Sequence, residues 1–403
     1  MFMGRDPNRL SYLKELSVLF NGFSTYEASR ALTKLLRQAH SLTTLVIANF
    51  DERFVIWDPH MMYALCDMTT LRTLHVYNAS RMGMRALGAL KSPIETLSVR
   101  SCHFEYNDVR PDIMDLAGSL QQPLVHYAAL KDFELPPAPY IFPHVHTVHL
   151  WHCPHVGIDQ VFTSFPNLKN IICVNIDPPG VLREENLLRQ VPSGVWPQLA
   201  EFGGILWSLY NLAPRCRFRR LKIYDIEPGQ LLLLRTVVGD HRPTHLELVN
   251  TKRVFGMDRV VNLSPASITH LSICMELEAQ PNAPLDSFEM TLIRTALVDC
   301  IRTIPVVFLV LRFDIVRLNK PRPSSLFGTA GDLVYFDMPA FVIEAGRRCP
   351  SLHYVFVSIG EGVSRWSWKL SRSELKQITL EDLPRDVAQQ VMTDNELSFE
   401  FRL

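Results

Sequence analysis

The stretch Val145-His146-Thr147-Val148-His149-Leu150-Trp151-His152-Cys153 puts apolar residues at its first, fourth and sixth positions and a cysteine at its ninth, and twelve weaker versions of this spacing run through the chain. Apolar residues two apart share one face of a short strand, and the residue three before them anchors the turn that leads in. One such copy cannot bury its apolar face alone, so a chain made of many copies has to stack them. The copies begin at Leu13, Leu42, Leu71, Ile94, Leu130, Val145, Leu168, Leu199, Phe218, Pro243, Ile268, Val306 and Leu352.

Between the copies lie segments with helical periodicity. In 25–36, Ala28, Ala31, Leu32, Leu35 and Leu36 fall on one face. Further helices are predicted over 59–68, 82–90, 108–120, 158–165, 229–238, 287–301 and 339–347. The spacing is that of a leucine-rich repeat. A strand followed by a helix in each copy predicts an α/β fold: an irregular leucine-rich-repeat solenoid with parallel strands on the concave side and helices and loops on the convex side. About 13 degenerate repeats occupy residues 1–357, and 358–403 is expected to cap the last coil, with a short helix opening at Leu383-Pro384.

The intervals are uneven. Leu13 to Leu42 is 29 residues, Leu130 to Val145 only 15, and Val306 to Leu352 as many as 46. The shortest coil has no room for a helix and is linked through the proline-rich turn Leu135-Pro136-Pro137-Ala138-Pro139-Tyr140. The longest holds the polar stretch 319–325, a candidate insertion.

Composition removes several function classes. Lys plus Arg number 41 and Asp plus Glu 41, so the formal charge is zero and the basic excess expected of a phosphate-binding surface is missing; no nucleic-acid partner is expected. The longest apolar run, Ile304 to Leu311, is far shorter than the ~20 residues that cross a bilayer and reads as a buried strand, so no membrane partner is expected either. Met1 to Pro7 carries no secretory pattern, which points to a cytoplasmic or nuclear protein. The eight cysteines form no C-x-x-C pair. Cys102 and Cys153, like Asn21, take the ninth position of their repeats, where a small side chain stacks beneath its neighbour, and Cys173 ends a buried strand.

The positions that alternate with the core residues should face the concavity. One such column reads Ser17, Val46, His75, Ser98, Glu134, His149, Ile172, Gly203, Lys222, Glu247, Ser272, Val310 and Phe356, and the next contains Tyr77, Arg100, Trp151 and Tyr224. Aromatic residues and arginine dominate interface hot spots. His75, Tyr77, Arg100, His149 and Trp151, with Lys222 and Tyr224, are therefore the candidate protein-binding residues. Thirteen strands at ~4.8 Å give an arc of roughly 60 Å, suited to a macromolecular partner.

The run His144, His146, His149, His152, Cys153 and His155 raises a metal-site or enzyme alternative, since imidazole and thiolate suit zinc. Strand alternation splits it: His149 faces the concavity, Cys153 the turn, and His152 and His155 the loop beyond. Neither a phosphate loop, a nucleophile elbow, an H-E-x-x-H pair nor a dinucleotide turn occurs, so no catalytic residue, metal or cofactor is expected.

The uneven repeats, the phrases Phe165-Pro166-Asn167-Leu168 and Cys349-Pro350-Ser351-Leu352-His353-Tyr354-Val355, and the tryptophans near the end resemble fungal F-box/leucine-rich-repeat proteins. The resemblance runs from about Leu13 to about Met392. It implies repeats that hold a substrate for a ubiquitin ligase, joined to a cullin through the Skp adaptor by an N-terminal F-box. Only twelve residues precede the first repeat here, so adaptor docking is not expected of this sequence; a free-standing scaffold or decoy is the alternative.

Overall fold

The computed structural model describes residues 7–19, 26–50, 59–101, 113–133, 140–153, 157–174, 184, 198–212, 216–226, 230–252, 267–279, 287–317, 337–359, 364–374 and 377–397. Within them the chain is α/β, with ten helices and a 15-stranded, mostly parallel sheet whose strands follow chain order. It divides into two compact units, residues 1–199 with 211–216 and residues 200–210 with 217–403.

Unit 1 runs β1 (Glu15–Leu19), α1 (Tyr26–Gln38), β2 (Thr44–Ala48), α2 (Pro59–Cys66), β3 (Thr73–Ala79), α3 (Arg81–Gly88), β4 (Thr96–Ser101), a 3-10 turn and α4 (Ala117–Leu120), β5 (Tyr127–Lys131), β6 (Thr147–Trp151), α5 (Ile158–Ser164) and β7 (Asn170–Val174). At the division lie β8 (Gln198–Ile205) and α6 (Leu206–Leu212). Unit 2 continues with β9 (Arg217–Tyr224), α7 (Leu231–His241), β10 (His245–Lys252), β11 (His270–Ala279), α8 (Ser287–Arg302), β12 (Phe308–Arg317), α9 (Met338–Arg348) and β13 (Tyr354–Ile359). Two antiparallel strands, β14 (Ser364–Arg372) and β15 (Ile378–Asp382), and α10 (Arg385–Asp394) complete it.

In unit 1 the ladders align Leu45, Leu74, Leu97, Ala128, Val148 and Ile171 in one row and Ile47, Val76, Val99, Leu130, Leu150 and Cys173 in the next. These residues are buried, as are Leu36, Met61, Leu65, Met84 and Leu87 on the helices. Crossovers between adjacent parallel strands share one hand as a rule, which puts the connecting helices on one face, where they and these rows share a core. Unit 2 repeats the arrangement with Leu221, Leu246, Leu271, Leu309 and Val355 beside Ile223, Leu248, Ile273, Leu311 and Val357.

Two backbone devices recur from strand to strand. One carbonyl accepts two consecutive N–H groups of the following coil: Thr43 O from Arg72 and Thr73, Arg72 O from Glu95 and Thr96, His146 O from Lys169 and Asn170, and in unit 2 Thr269 O from Val307 and Phe308. After the strand the chain turns through a left-handed residue, Asn49, Asn78, Asp132, His152 or Asp225. Asparagine and aspartate tolerate that conformation best among residues with a Cβ. Neighbouring turns bond to each other, Asn78 Nδ2 donating to Asn49 Oδ1 at 2.7 Å.

These devices correct one repeat boundary. Leu130 does not open a copy; it pairs with Leu150 and Val99 as the last core residue of β5. The copy opens at the buried Val125, and the coil to Val145 is 20 residues, not 15. An opening at Leu130 would put Pro137 at the left-handed position, and a ring that fixes φ near −65° cannot occupy it. Val125 puts Asp132 there, at φ 65°. Ala129 replaces Glu134 in the column of inward positions, and Glu134 lies outside the described residues, as do Asn21, Cys102, His155 and the stretch 319–325.

The helices expected over 25–36, 59–68, 82–90, 158–165, 229–238, 287–301 and 339–347 appear with ends shifted by a few residues. The one expected over 108–120 is described only as the 3-10 turn Ile113–Leu116 and α4. Residues 364–397 do two things: β14 and β15 extend the sheet beyond β13, whereas α10 packs on the face opposite the helical layer.

Candidate functional site

On the face away from the helices, unit 1 aligns Val46, His75, Ser98, Ala129, His149 and Ile172 in one row. Flanking it on one side are Thr44, Thr73, Thr96, Tyr127, Thr147 and Asn170, and on the other side Arg100, Lys131, Trp151 and Val174 pair in order. The rows follow from strand alternation, because the apolar residues between them point into the core.

Tyr127, His149 and Trp151 form a continuous aromatic group. The Tyr127 hydroxyl lies 3.2 Å from His149 Nδ1, and the rings sit 5.0 Å apart, edge to face. His149 meets Trp151 edge-on at 5.7 Å. Burial raises the Tyr127 phenol above its ordinary value and the neighbouring Tyr77 raises it further, while burial lowers His75. At neutral pH the Tyr127 phenol keeps its proton and His75 is uncharged. Tyr77 is 41% exposed and Arg100 is exposed; His75, His149 and Trp151 are half-buried. An aromatic group flanked by Lys131 and, one strand further, by Arg100 has the composition of a binding hot spot.

A copy opening at Leu130 leaves Tyr127 outside its strand, so the sequence pattern does not bring Tyr127 to this face. Asp132 against Pro137 is the signal that places it.

Lys222 and Tyr224 lie in unit 2, in surroundings of another kind. Lys222 Nζ pairs with Glu247 Oε1 at 3.1 Å and stands 5.6 Å over the Tyr224 ring. Tyr224 is 5% exposed. Burial raises both the Tyr224 phenol and the Glu247 carboxyl, the latter against the pull of Lys222. Lys222 is spent within its own row, where Lys222, Glu247, Ser272, Val310 and Phe356 align, and Tyr224, which pairs with Val249 in the next position, is buried beside it.

The flanking row of unit 2, absent from the sequence-based candidates, reads Arg220, His245, His270, Phe308 and Tyr354. Its rings stack face to face at 3.9 Å for His245 on His270, 4.6 Å for His270 on Phe308 and 5.0 Å for Phe308 on Tyr354. Over this floor lies α10, whose Ala388 and Met392 join Val310 and Phe356 in a buried cluster; Phe308, Tyr354, Leu383, Val391 and Leu397 pack against it. Beyond the helix, His245 Nε2 donates to the Asn395 carbonyl at 3.2 Å and Arg219 Nη1 lies 2.9 Å from Glu396 Oε1. The Arg220 guanidinium donates to the Glu396 carbonyl. Burial, the neighbouring His270 and the two arginines hold His245 down at about 4.

The histidine run does not converge. His152 makes the left-handed turn, its N–H bonding Val174 O. Cys153 is buried, with its thiol against the Trp151 and Leu130 carbonyls at 3.4 and 3.7 Å. His144 is exposed at the far end of the segment. Among the described residues no group of three or more histidine, cysteine, aspartate or glutamate side chains is placed to hold a metal ion. No described helix is long and apolar enough to cross a membrane.

Compared with known families and characterised proteins, the chain matches no family model and no curated sequence.

Proposed function

We propose that this chain is a leucine-rich-repeat solenoid that binds another protein and performs no chemistry, similar in role to the substrate-holding part of an F-box ubiquitin-ligase receptor. The recurrent two-donor carbonyl and left-handed turn support the repeat reading. The aromatic group Tyr127–His149–Trp151, bordered by Tyr77, His75 and Arg100 on the open face of β3 to β6, carries the binding reading. Four strands at ~4.8 Å span roughly 14 Å, the dimension of the buried centre of an ordinary interface. Lys222 and Tyr224 leave the contact set, because their partners are already in place. The cysteines of the described residues are free thiols, which fits a reducing cytoplasmic or nuclear setting.

The test is affinity purification of the tagged full chain beside the double variant Arg100→Glu/Trp151→Ala. A reproducible partner should fall at least tenfold in recovery with the variant, at unchanged thermal midpoint. Equal recovery removes the patch. Co-purification of the Skp adaptor and a cullin supports the ubiquitin-ligase role; another partner without them supports a free-standing scaffold.

A further inference from the structure

The sheet face beneath α10 has the character of a ligand site. Its floor is an aromatic and aliphatic surface of Phe308, Tyr354, Val310 and Phe356, and at one end three donors from Arg219, Arg220 and His245 meet carbonyl and carboxylate oxygens at the end of a helix. Helix C-termini carry partial negative charge on their unpaired carbonyls, so this end of the floor is built for one.

What occupies it presents one narrow face. Of α10 only Ala388 and Met392 are fully buried; Arg385, Asp386, Val387, Gln389 and Gln390 are exposed. A helix of 10 residues is marginal in water on its own, so α10 exists because it is docked. Its end is folded to reach the donors. Glu396 sits at φ 54°, and the Leu397 N–H returns to Met392 O at 2.8 Å, which turns the Glu396 carboxylate toward Arg219. Leu383 and Pro384 alone join α10 to β15.

We infer that this face of unit 2 is a helix-binding surface, closed by the chain's own C-terminal helix, and that it takes from a partner protein an amphipathic helix with apolar residues four apart and an acidic C-terminal turn. The cis helix displays that pattern in Ala388, Met392 and Glu396. It competes through proximity, since a tethered segment acts at roughly millimolar effective concentration. A second copy of this chain offers identical contacts without the tether and gains nothing over the cis helix. A partner helix competes by offering the same apolar pair and acidic residue to the floor and the three donors, with further contacts along its length that the short cis helix does not make. The inference is independent of the aromatic patch of unit 1, since it uses other strands and other residues.

The decisive experiment uses the full chain carrying Ala388→Glu and Met392→Asp, which lift α10, and a labelled peptide of residues 383–397 as probe. The peptide should bind the lifted chain at least tenfold more tightly than the wild-type chain, and adding Arg219→Glu and Arg220→Glu should lower that binding at least tenfold. A lifted chain that keeps its circular dichroism and ignores the peptide overturns the inference. Hydrogen exchange on the wild-type chain decides the matter even if the lifted variant does not fold. Amides of 386–397 should exchange at least tenfold faster than those of β12 and β13, and equal protection makes α10 fixed core and ends the proposal. A wild-type dimer that exchanges its C-terminal helices makes a second copy the occupant, and overturns the partner assignment.

Discussion

The same sheet face meets two fates in one chain. Along β3 to β6 it carries His75, Ser98, His149 and Trp151, half-buried and open at the rim; along β9 to β13 it carries Lys222, Glu247, Val310 and Phe356, paired or covered by α10. The backbone registers are alike, with carbonyl ties and left-handed turns in both units. Side chains alone therefore decide whether a row is a surface or an interior. A row of large apolar residues loses free energy in water until something covers it, and a row of histidine, serine and amphipathic aromatic residues does not.

The contrast can be broken most directly at matched positions. Phe356→Ala, fully buried under α10, should cost about 3–5 kcal/mol, read as a shifted denaturation midpoint for unit 2. If it costs under about 1 kcal/mol, the covered row is not an interior. Next in size is Lys222→Met, which leaves the Glu247 carboxylate buried without its cation. A loss of about 2–3 kcal/mol is expected at neutral pH. Because burial already raises Glu247, the loss should shrink as pH falls and the carboxyl takes up a proton. Lys222→Met with Glu247→Met should restore most of it, and a double variant as unstable as the single one would show that the pair is not coupled.

A smaller effect is expected from acid. His245 protonates near 4 in the folded chain and near its ordinary 6.5 in the unfolded one, so the unfolded chain takes up the proton first. Its contribution to the stability of unit 2 is at full strength above 6.5 and is lost as pH falls toward 4. The denaturation midpoint of unit 2 should fall further between pH 7 and 5 in the wild-type chain than in His245→Phe; equal falls exclude His245 as the source. The smallest effect is His149→Ala on the open row, under about 1 kcal/mol in stability, since surface changes away from a packed core seldom exceed that. A loss as large as that of Phe356→Ala would erase the distinction between the two faces.

Much of this was legible in the residues. The spacing of apolar positions predicts the column Lys222, Glu247, Ser272, Val310, Phe356, and the ladders pair those residues in that order. It misplaces one strand, because Ala128 is too small to register as an anchor and Leu130-Lys131-Asp132-Phe133-Glu134-Leu135 satisfies the same spacing. The site was legible in part. Alternation puts His149 and Trp151 on one face, but the burial of Tyr224 and the pairing of Lys222 with Glu247 depend on neighbouring strands that no local pattern encodes. The cover over unit 2 was hidden for a simpler reason. A short helix with Ala388 and Met392 on one side announces that it will dock, and says nothing of which of two faces receives it.

The carbonyl that receives two N–H groups has a consequence for what substitutions such a chain accepts. The bond between coils is written in main-chain atoms, so the two residues that supply the donors, such as Arg72 with Thr73, Thr269 with His270 or His353 with Tyr354, are free to take almost any side chain, and they differ widely in size, charge and shape. Only an imino acid is barred. None of the 27 prolines of the chain falls on these pairs, and Pro243 stands immediately before Thr244, whose N–H bonds the Arg219 carbonyl. At these two positions the rule is thus a prohibition rather than a consensus, and the demand for particular side chains is left to the apolar rows of the core.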